Sequence, residues 1–281
     1  MIYQDVSVLG CGYLGLPLAS YLISKGYRVK GSSTTPSKIA MLQSKKIEPF
    51  LLMSHNGLKG DDLDRFFQSQ VLFLNIPFRR DFENSQIYFE QVRAIVERAQ
   101  QSPIQFIIFA SSTAIYPDNG GEAREDAAFL PQDARSHVLW EVEQYLLNQK
   151  KIAATIIRFA GLYGGERRIG KFLSGKKRLT DPEAPVNLIH LDDCLRIVEL
   201  VIHKNIQHEI LNACSDAHPT RRALYTKAAR QLNLPPPEFS DQSSGVNKIV
   251  SNQKLKTLLH YQFIYPDPLK TLESNDAHED K

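Results

Sequence analysis

Short apolar runs alternate with amphipathic stretches through the first 160 residues of the chain. The apolar runs predict strands near residues 6–9, 27–30, 50–53, 71–74, 104–110 and 154–159. Between them, apolar side chains recur at helical spacing, as at Leu14, Leu18 and Leu22, and similar patterns predict helices near residues 84–101 and 133–149. This alternation is typical of a parallel sheet that is covered by helices on both faces.

The alternation weakens after about residue 160, which predicts a second part of the fold. A helix is still indicated near residues 192–203, a strand near 210–213 and a helix near 220–232. Three consecutive prolines at 235–237 end this last helix. Asp192 is interpreted as the N-cap of its helix. We predict one domain over residues 1–165 and a smaller lobe over residues 166–281, with residues 186–203 returning to the first domain.

Composition narrows the class of protein. The chain has 281 residues, 42% of them hydrophobic, and a net charge of only +3, which argues against nucleic acid or a membrane surface as a partner. No apolar run approaches the roughly 20 residues that span a bilayer, and the start of the chain lacks the pattern of a signal peptide. Three widely spaced cysteines predict neither a disulfide framework nor a metal site, so a reducing cytoplasm is expected.

A glycine pattern lies between the first strand and the first helix. Residues 10–15 are Gly-Cys-Gly-Tyr-Leu-Gly, with the spacing G-x-G-x-x-G. The first glycine permits a tight turn, the second lets the backbone approach a pyrophosphate, and the third lets helix and strand pack closely. The helix N-terminus adds N–H donors and a partial positive charge. We therefore predict a Rossmann-type doubly wound sheet with a dinucleotide site at Gly10, Gly12, Tyr13, Leu14 and Gly15.

The charge around this loop favours NADP, with NAD as the alternative. Chains that bind NAD place an acidic residue about 20 residues after the glycines, where it binds the ribose 2′-hydroxyl. No Asp or Glu occurs between Val6 and Ile47, whereas six Lys or Arg residues do. Hydroxyls and an ammonium at the end of the second strand suit a 2′-phosphate, and the candidates are Ser32, Ser33, Thr34 and Lys38. Ser33, Thr34 and Ser37 could equally cap the next helix.

Four later segments, together with the glycine pattern, resemble the extended short-chain dehydrogenases/reductases. They are Phe-Ala-Ser-Ser-Thr-Ala-Ile-Tyr at 109–116, Arg-Phe-Ala-Gly-Leu-Tyr-Gly at 158–164, Asn-Leu-Ile-His-Leu-Asp-Asp at 187–193 and Lys-Ile-Val-Ser-Asn at 248–252. The last is similar to an atypical subgroup of the NAD-dependent epimerase/dehydratase family. The resemblance covers about residues 5–270 and implies a smaller C-terminal substrate lobe. It also implies that Ser112 contacts a reacting sugar.

The resemblance implies a Tyr-x-x-x-Lys pair on the helix after the fifth strand, and this chain departs from it. Anchoring on Glu143 places Arg135 and Leu139 at the two positions, whereas anchoring on Glu141 places Asp133 and His137 there. Neither Tyr nor Lys occurs from residue 130 to residue 143, so the departure does not depend on the register.

Other residues are candidates for the missing chemistry. His137 has the pKa range for moving a proton but could equally be a surface residue. Tyr116 follows Ser112 and could reach the substrate or simply pack beside the nicotinamide. Arg135 is a poor proton carrier but could bind a phosphate or a carboxylate. The candidate catalytic residues are Ser112, Tyr116 and His137, and the remaining candidate cofactor contacts are Asn75, Ile76, Pro77, Ser111 and Arg135.

The partners are predicted from the same pattern. Six basic residues between Arg167 and Arg178 suit a small anionic substrate, although a run of charges is often only a solvated face. Glu122, Glu125 and Asp126 lie in a Gly-containing loop where one carboxylate could face the substrate. Two hypotheses follow: an NADP-dependent oxidoreductase or epimerase-like enzyme, or a non-catalytic NADP-binding sensor or regulatory protein. A homodimer is expected by analogy alone.

Overall fold

The computed structural model describes residues 2–54, 57–78, 85–118, 121–127, 131 and 133–276. The chain divides into two compact units. Unit 1 consists of Met1–Ile115, Pro131–Arg158 and Leu195–Ile210, and unit 2 consists of Tyr116–Leu130, Phe159–Cys194 and Leu211–Lys281. The assignment of a dinucleotide-binding domain and a substrate lobe to parts of the chain stays a prediction.

Strands and helices alternate along the described residues. The strands are β1 (Asp5–Leu9), β2 (Arg28–Ser33), β3 (Glu48–Met53), β4 (Lys59–Gly60), β5 (Val71–Leu74), β6 (Phe106–Ser112), β7 (Gly121–Ala123), β8 (Ala153–Phe159), β9 (Gly161–Tyr163), β10 (Leu188–His190), β11 (Ile210–Ala213) and β12 (Lys248–Val250). The helices are α1 (Gly15–Ser24), α2 (Ile39–Ser44), α3 (Leu63–Phe66), α4 (Ser85–Ala99), α5 (Ala134–Leu147), α6 (Leu191–His203), α7 (Arg221–Gln231), α8 (Gln253–Leu259) and α9 (Pro268–Asp276).

The central sheet confirms the predicted α/β class. Its strand order is β11-β8-β6-β5-β1-β2-β3-β4. β1 pairs in parallel with both β2 and β5, and β4 is antiparallel to β3 at the edge. The chain runs outward from β1 to β3 on one side and returns through β5 and β6 on the other, which makes the fold doubly wound. Ligands of such sheets bind at the carboxyl ends of the strands where the order reverses, here β1 and β5.

The local sequence explains the elements beside this switch point. All four residues of β5 are buried, as expected for a parallel strand that is covered on both faces. α1 buries Leu18 and Leu22 and ends at Ser24, and Gly26 just beyond it has a φ of 90°, which a side chain would disfavour. The Gly26 N–H donates to the Ile23 carbonyl and the Tyr27 N–H to the Leu22 carbonyl, so Gly26 is the predicted C′ residue.

The start of α6 differs from the prediction. The helix begins at Leu191, so Asp192 lies inside its first turn and the interpretation of Asp192 as the N-cap is wrong. The Asp192 N–H instead donates to His190 Nδ1 at 3.2 Å, and the histidine ring therefore takes the capping role. The predicted helix start at Asn84 lies outside the described residues, where α4 is described from Ser85.

The described residues of unit 2 form two small parallel sheets and a core of their own. β9 pairs with β10, and β7 pairs with β12. The core includes Tyr163, Ile169, Val186, Leu188, Leu224 and Ala228. The Tyr163 hydroxyl lies 3.3 Å from Thr271 Oγ1 on α9, and burial raises the pKa of Tyr163 well above its usual range. This environment supports a structural role for Tyr163.

Candidate functional site

The three glycines of the loop between β1 and α1 have different surroundings. A Cβ at Gly10 would overlap the Asn75 carbonyl, and one at Gly15 would overlap the Gly10 carbonyl. Gly10 also has a φ of 102°. At Gly12, by contrast, a Cβ would meet no described atom within 4 Å. Gly10 and Gly15 are therefore required for packing, whereas Gly12 leaves open space beside the backbone.

The loop is held from β5 by Asn75. Its Nδ2 donates to the Gly10 carbonyl at 3.0 Å, and its backbone N–H donates to the Leu9 carbonyl at 3.0 Å. Ile76 is buried, and its carbonyl accepts from the Tyr88 hydroxyl at 3.3 Å. Pro77 is exposed. The Asn75 side chain thus holds the glycine loop by a hydrogen bond. Of the three predicted cofactor contacts Asn75, Ile76 and Pro77, only Pro77 is exposed.

The first turn of α1 suits an anion. Leu14 precedes the helix and is buried, and Tyr13 beside it is half-buried. No side chain among the described residues caps this helix, and its first turn contains no acidic residue. A helix N-terminus of this kind presents N–H donors and a partial positive charge. Together with the open backbone at Gly12, it fits the pyrophosphate of a dinucleotide.

The candidates at the end of β2 divide into two pairs. Ser32 is buried and its Oγ accepts from the Gly10 N–H at 3.0 Å, so this hydroxyl holds the glycine loop. Ser33 Oγ accepts from the Thr35 N–H at 3.0 Å and stabilises the turn that follows. Thr34 and Lys38 are exposed. Of the four predicted contacts, these last two are accessible to a phosphate.

Cys11 fills space between the loop and β2. It is buried, and a Cβ at Gly31 would lie 2.8 Å from its Sγ. Burial raises the pKa of the Cys11 thiol to about 12. A thiol with such a high pKa is a poor nucleophile near neutral pH. The environment therefore supports the simpler interpretation of Cys11 as a small filling residue.

Ser111 lies in a buried polar group of unit 1. Its Oγ donates to Glu143 Oε1 at 2.5 Å, and Arg158 Nη2 donates to Glu143 Oε2 at 2.5 Å. Glu143 and Arg158 are almost fully buried. This network fixes α5 against β6 and β8. The Ser111 hydroxyl is thus already hydrogen-bonded within this network. Glu143 lies on the buried face of α5, whereas Glu141 is partly exposed.

The candidate catalytic hydroxyls have different surroundings. Ser112 is half-buried, and its Oγ accepts from the Ala114 N–H at 3.2 Å, which leaves the hydroxyl proton available for donation. Tyr116 is 4% exposed, and its hydroxyl donates to Asn212 Oδ1 at 2.9 Å. The geometry of Tyr116 supports the packing alternative. The sequence carries no signal for this role of Asn212, because the residue stands in an ordinary strand sequence.

Lys248 organises the segment that contains Tyr116. Its Nζ donates to the Tyr116 carbonyl at 2.9 Å and lies 2.8 Å from Asp118 Oδ1. The Asn212 N–H donates to Glu125 Oε1 at 2.7 Å, so one carboxylate of the predicted acidic loop binds the backbone of β11. Glu122 and Asp126 are exposed. The Lys-x-x-Ser-Asn segment is thus part of the scaffold of unit 2.

His137 lies on the exposed face of α5. Its side chain is 56% exposed, Nε2 is 3.3 Å from Glu141 Oε1, and the ring stacks on Trp140. This placement supports the surface alternative. Arg135, two residues earlier, is half-buried, and its guanidinium lies 5.7 Å from the centre of the Phe78 ring.

The basic segment near residues 167–178 is mostly exposed, and Lys177 pairs with Glu238 at 3.4 Å. Among the described residues, no group of His, Cys, Asp and Glu side chains could hold a metal ion. No helix in the described part of the chain is both long and apolar enough to cross a bilayer. The cytoplasmic location, the homodimer and the absence of nucleic acid stay predictions.

Solved structures of low identity share this fold. A short-chain dehydrogenase/reductase superfamily protein of Agrobacterium tumefaciens with bound NAD has a TM-score of 0.74, 15% identity and 99% coverage of both chains. UDP-glucuronic acid 4-epimerase of Bacillus cereus, in complex with UDP-glucuronic acid and NAD, has a TM-score of 0.76, 19% identity and coverage of 96% of this chain and 97% of that chain. These similarities show the fold alone.

The sequence itself has a more similar relative, although no protein-family profile matches it. Protein YeeZ of Escherichia coli K12 is 35% identical over 269 residues, which cover 95% of this chain and 98% of that protein. The match therefore extends over parts of both units. The chain belongs to the same family as Protein YeeZ.

Proposed function

We propose that the protein binds NADP and acts as an oxidoreductase or epimerase-like enzyme of the extended short-chain dehydrogenase/reductase type. The observation that carries the proposal is the open backbone at Gly12, beside the uncapped N-terminus of α1. Gly12, Tyr13, Leu14 and Gly15 would hold the pyrophosphate there. Neighbours of the same fold, such as the Agrobacterium tumefaciens protein, bind NAD. This supports a dinucleotide as the ligand.

The preference for NADP rests on charge and accessibility. Thr34 and Lys38 are exposed at the end of β2, and no acidic residue occurs between Val6 and Ile47 to repel a 2′-phosphate. Ser32 and Ser33 would contribute indirectly, because their hydroxyls hold the glycine loop and the turn after β2. NAD, which lacks the 2′-phosphate, would bind the same loop without using Lys38.

A bound nicotinamide would supply hydride transfer, and the chain would supply orientation. The Ser112 hydroxyl can donate a hydrogen bond to a substrate carbonyl or hydroxyl. The substrate would be a nucleotide-sugar-like molecule or another anionic carbonyl or hydroxyl compound. The complex of UDP-glucuronic acid 4-epimerase with UDP-glucuronic acid supports this class. Tyr116 and His137 remain the proposed proton carriers.

A non-catalytic NADP-binding protein is the second candidate. This candidate is favoured because both proposed proton carriers already have partners within the protein. The Tyr116 hydroxyl donates to Asn212, and the exposed His137 is paired with Glu141. A hydroxyl held in a buried hydrogen bond and an exposed imidazole paired with a carboxylate are poorly placed to exchange a proton with a substrate. Such a protein would respond to the ratio of NADPH to NADP without turning over a substrate.

Fluorescence titration with NADPH and NADH tests the proposal. We expect saturable binding of both, with NADPH bound roughly tenfold more tightly, which is about 1.4 kcal/mol. Tighter binding of NADH would exclude the NADP preference, and binding of neither would exclude the proposed site. A turnover screen against carbonyl compounds and nucleotide sugars then separates the two candidates. Ser112→Ala should abolish turnover without changing NADPH affinity if Ser112 contacts the substrate.

A further inference from the structure

Arg135 is a partly buried cation, and one of its hydrogen-bond donors, Nε, is not used. Its Nε is buried and has no hydrogen-bond partner among the described residues. No carboxylate of the described chain lies within ion-pair distance of it. Asp133, the N-cap of α5, accepts from the Ser136 N–H at 2.7 Å, and this hydrogen bond is the main reason why the Asp133 pKa is lowered. A buried donor without an acceptor destabilises a protein by about 1–3 kcal/mol.

The position of Arg135 is fixed by packing within unit 1. Arg135, Leu139 and Glu143 follow one another at intervals of four along α5, and both Leu139 and Glu143 are buried. The Arg135 guanidinium lies over the Phe78 ring, and Phe78 packs edge-on against Tyr88 with ring centres 4.8 Å apart. Tyr88 in turn donates to the Ile76 carbonyl. The cation therefore lies beside the segment that follows β5, at the carboxyl edge of the sheet.

A planar guanidinium with a free Nε suits an oxyanion. Arginine binds a carboxylate or phosphate through two parallel hydrogen bonds, one of which commonly uses Nε. The aromatic ring of Phe78 supports the flat face of the group. An uncharged ligand would leave the Nε donor of this partly buried cation without a charged acceptor, because Asp133, whose pKa the Arg135 charge also lowers, accepts from the Ser136 N–H instead. The missing partner is thus a carboxylate or a phosphate.

The dinucleotide is a poor source of that anion. Its pyrophosphate would be held at Gly12 and α1, and its 2′-phosphate at Thr34 and Lys38 after β2. In the sheet order, β2 lies on one side of β1, and β5, which precedes Phe78, lies on the other. The 2′-phosphate would therefore lie on the other side of β1 from Arg135, and the pyrophosphate would be engaged by the N–H groups at Gly12 and α1, so we assign the anion to a second molecule.

We propose that Arg135 binds the carboxylate or phosphate of the substrate, and that this contact defines the substrate as anionic. The proposal rests on the proposed function, because it uses the dinucleotide site to exclude the cofactor as the source. It changes the role of Arg135 from a cofactor contact to a specificity-determining residue.

Isothermal titration calorimetry on the NADPH-saturated protein tests the proposal, with inorganic phosphate and malonate as probes at constant ionic strength. We expect saturable binding of at least one probe to the wild-type protein. Arg135→Met should weaken it at least tenfold and Arg135→Lys by less, because lysine keeps the charge but loses the planar pair of donors. NADPH affinity should change less than twofold in both. Arg196→Met, at an exposed position of α6 to which no binding role is assigned, is the matched control and should bind both probes normally.

Three outcomes would overturn the proposal: no saturable probe binding to the wild type, equal binding by Arg135→Met, or a tenfold loss of NADPH affinity in Arg135→Met. The last would make Arg135 a cofactor contact. If the wild type binds no dinucleotide at all, the proposed function fails separately. The probes are then titrated without NADPH into the Gly12→Val protein, both with and without the Arg135→Met change. Probe binding that Arg135→Met still weakens supports the anion site by itself.

Discussion

The Arg158 guanidinium and the Glu143 carboxylate form a buried ion pair, with Nη2 of Arg158 2.5 Å from Oε2 of Glu143. The two side chains are 2% and 0% exposed, respectively. Ser111 Oγ donates to the same carboxylate. Residues from β6, α5 and β8 therefore meet in one polar contact inside an apolar environment. Because α5 carries Arg135 near its other end, this contact also fixes the position of the proposed anion site.

Removal of one partner should be much more harmful than removal of both. We expect Glu143→Ala to lower the free energy of unfolding by about 3–5 kcal/mol, because it leaves the Arg158 charge buried without a counter-charge. Urea denaturation measures the change. The double variant Glu143→Met with Arg158→Met should be more stable than Glu143→Ala. If it is less stable, the unpaired Arg158 charge is not the main cause of the loss in Glu143→Ala.

Gly12→Val should separate ligand binding from folding. A side chain at Gly12 meets no described atom within 4 Å, so the thermal midpoint should stay nearly unchanged. The same side chain would occupy the space proposed for the pyrophosphate, and NADPH affinity should fall at least tenfold. Gly15→Ala is the contrasting variant, because its Cβ overlaps the Gly10 carbonyl and should destabilise the protein by about 1–3 kcal/mol. Normal NADPH binding by Gly12→Val would contradict the proposed site.

Lys38→Ala should weaken NADPH binding selectively. An exposed ammonium that contacts a phosphate contributes a charge-assisted hydrogen bond, and its loss should lower NADPH affinity roughly fivefold to tenfold. NADH has no 2′-phosphate, so its affinity should be unchanged. Fluorescence titrations with both dinucleotides measure the ratio, and Lys45→Ala, exposed at the end of α2, serves as the control. An equal loss for both dinucleotides would place Lys38 away from the 2′-position.

Asp193 should be essential for unit 2, whereas its neighbour should not. Asp193 is fully buried and accepts from the Tyr261 hydroxyl at 2.6 Å and from the Ile264 and Tyr265 N–H groups at 2.8 and 3.1 Å. Asp193→Ala would leave three donors without their acceptor and should destabilise by about 3 kcal/mol or more. Asp192→Ala, at an exposed position one residue earlier, should change stability by less than about 1 kcal/mol. Similar losses from both variants would contradict this assignment.

Stability should fall as the pH is lowered through the ordinary histidine range. Burial lowers the pKa values of His190 and His218 below 6.5, although Asp192 and Asp193 near His190, and Asp216 near His218, oppose the shift. Below pH 6.5 the unfolded histidines take up protons while the folded ones stay neutral, so the free energy of unfolding decreases until the folded pKa values are passed. Denaturation curves between pH 7.5 and pH 5 measure this decrease.

The variants at these two positions identify the source of the pH dependence. His190→Asn retains an acceptor that can cap α6, and His218→Gln retains a polar group of similar size. Together they should flatten the stability profile between pH 7.5 and pH 5. A profile as steep as that of the wild type would assign the effect to other groups.

The sequence allowed the glycine loop and the sheet around it to be predicted because both are encoded by nearby residues. Gly10, Gly12 and Gly15 lie within six residues, and the Gly26 C′ position follows directly from the end of an amphipathic helix. The buried apolar runs of β1, β5 and β6 required no knowledge of their partners. Even so, the sequence does not distinguish a hydroxyl that contacts the cofactor from one that holds the loop. Ser32 is predicted to contact the cofactor, whereas in the structure its hydroxyl accepts from the Gly10 N–H.

Contacts between distant residues could not be predicted in this way. The Tyr116 hydroxyl binds Asn212, which is 96 positions away, and Lys248 reaches the Tyr116 carbonyl across 132 positions. Nothing near Tyr116 in the sequence distinguishes a buried structural tyrosine from a proton carrier. The unpartnered Nε of Arg135 is likewise visible only once α5 is packed beside Phe78.

The interleaving of the two units has a consequence for biosynthesis. The chain passes from one unit to the other five times, after Ile115, Leu130, Arg158, Cys194 and Ile210. A ribosome delivers the chain from its N-terminus, so the last segment of unit 1, Leu195–Ile210, emerges only after the first two segments of unit 2. A nascent chain that ends before residue 210 contains neither unit in full. The apolar strands of unit 1 are therefore synthesised before α6, which completes their unit, is available. A chaperone would be most useful during this part of translation.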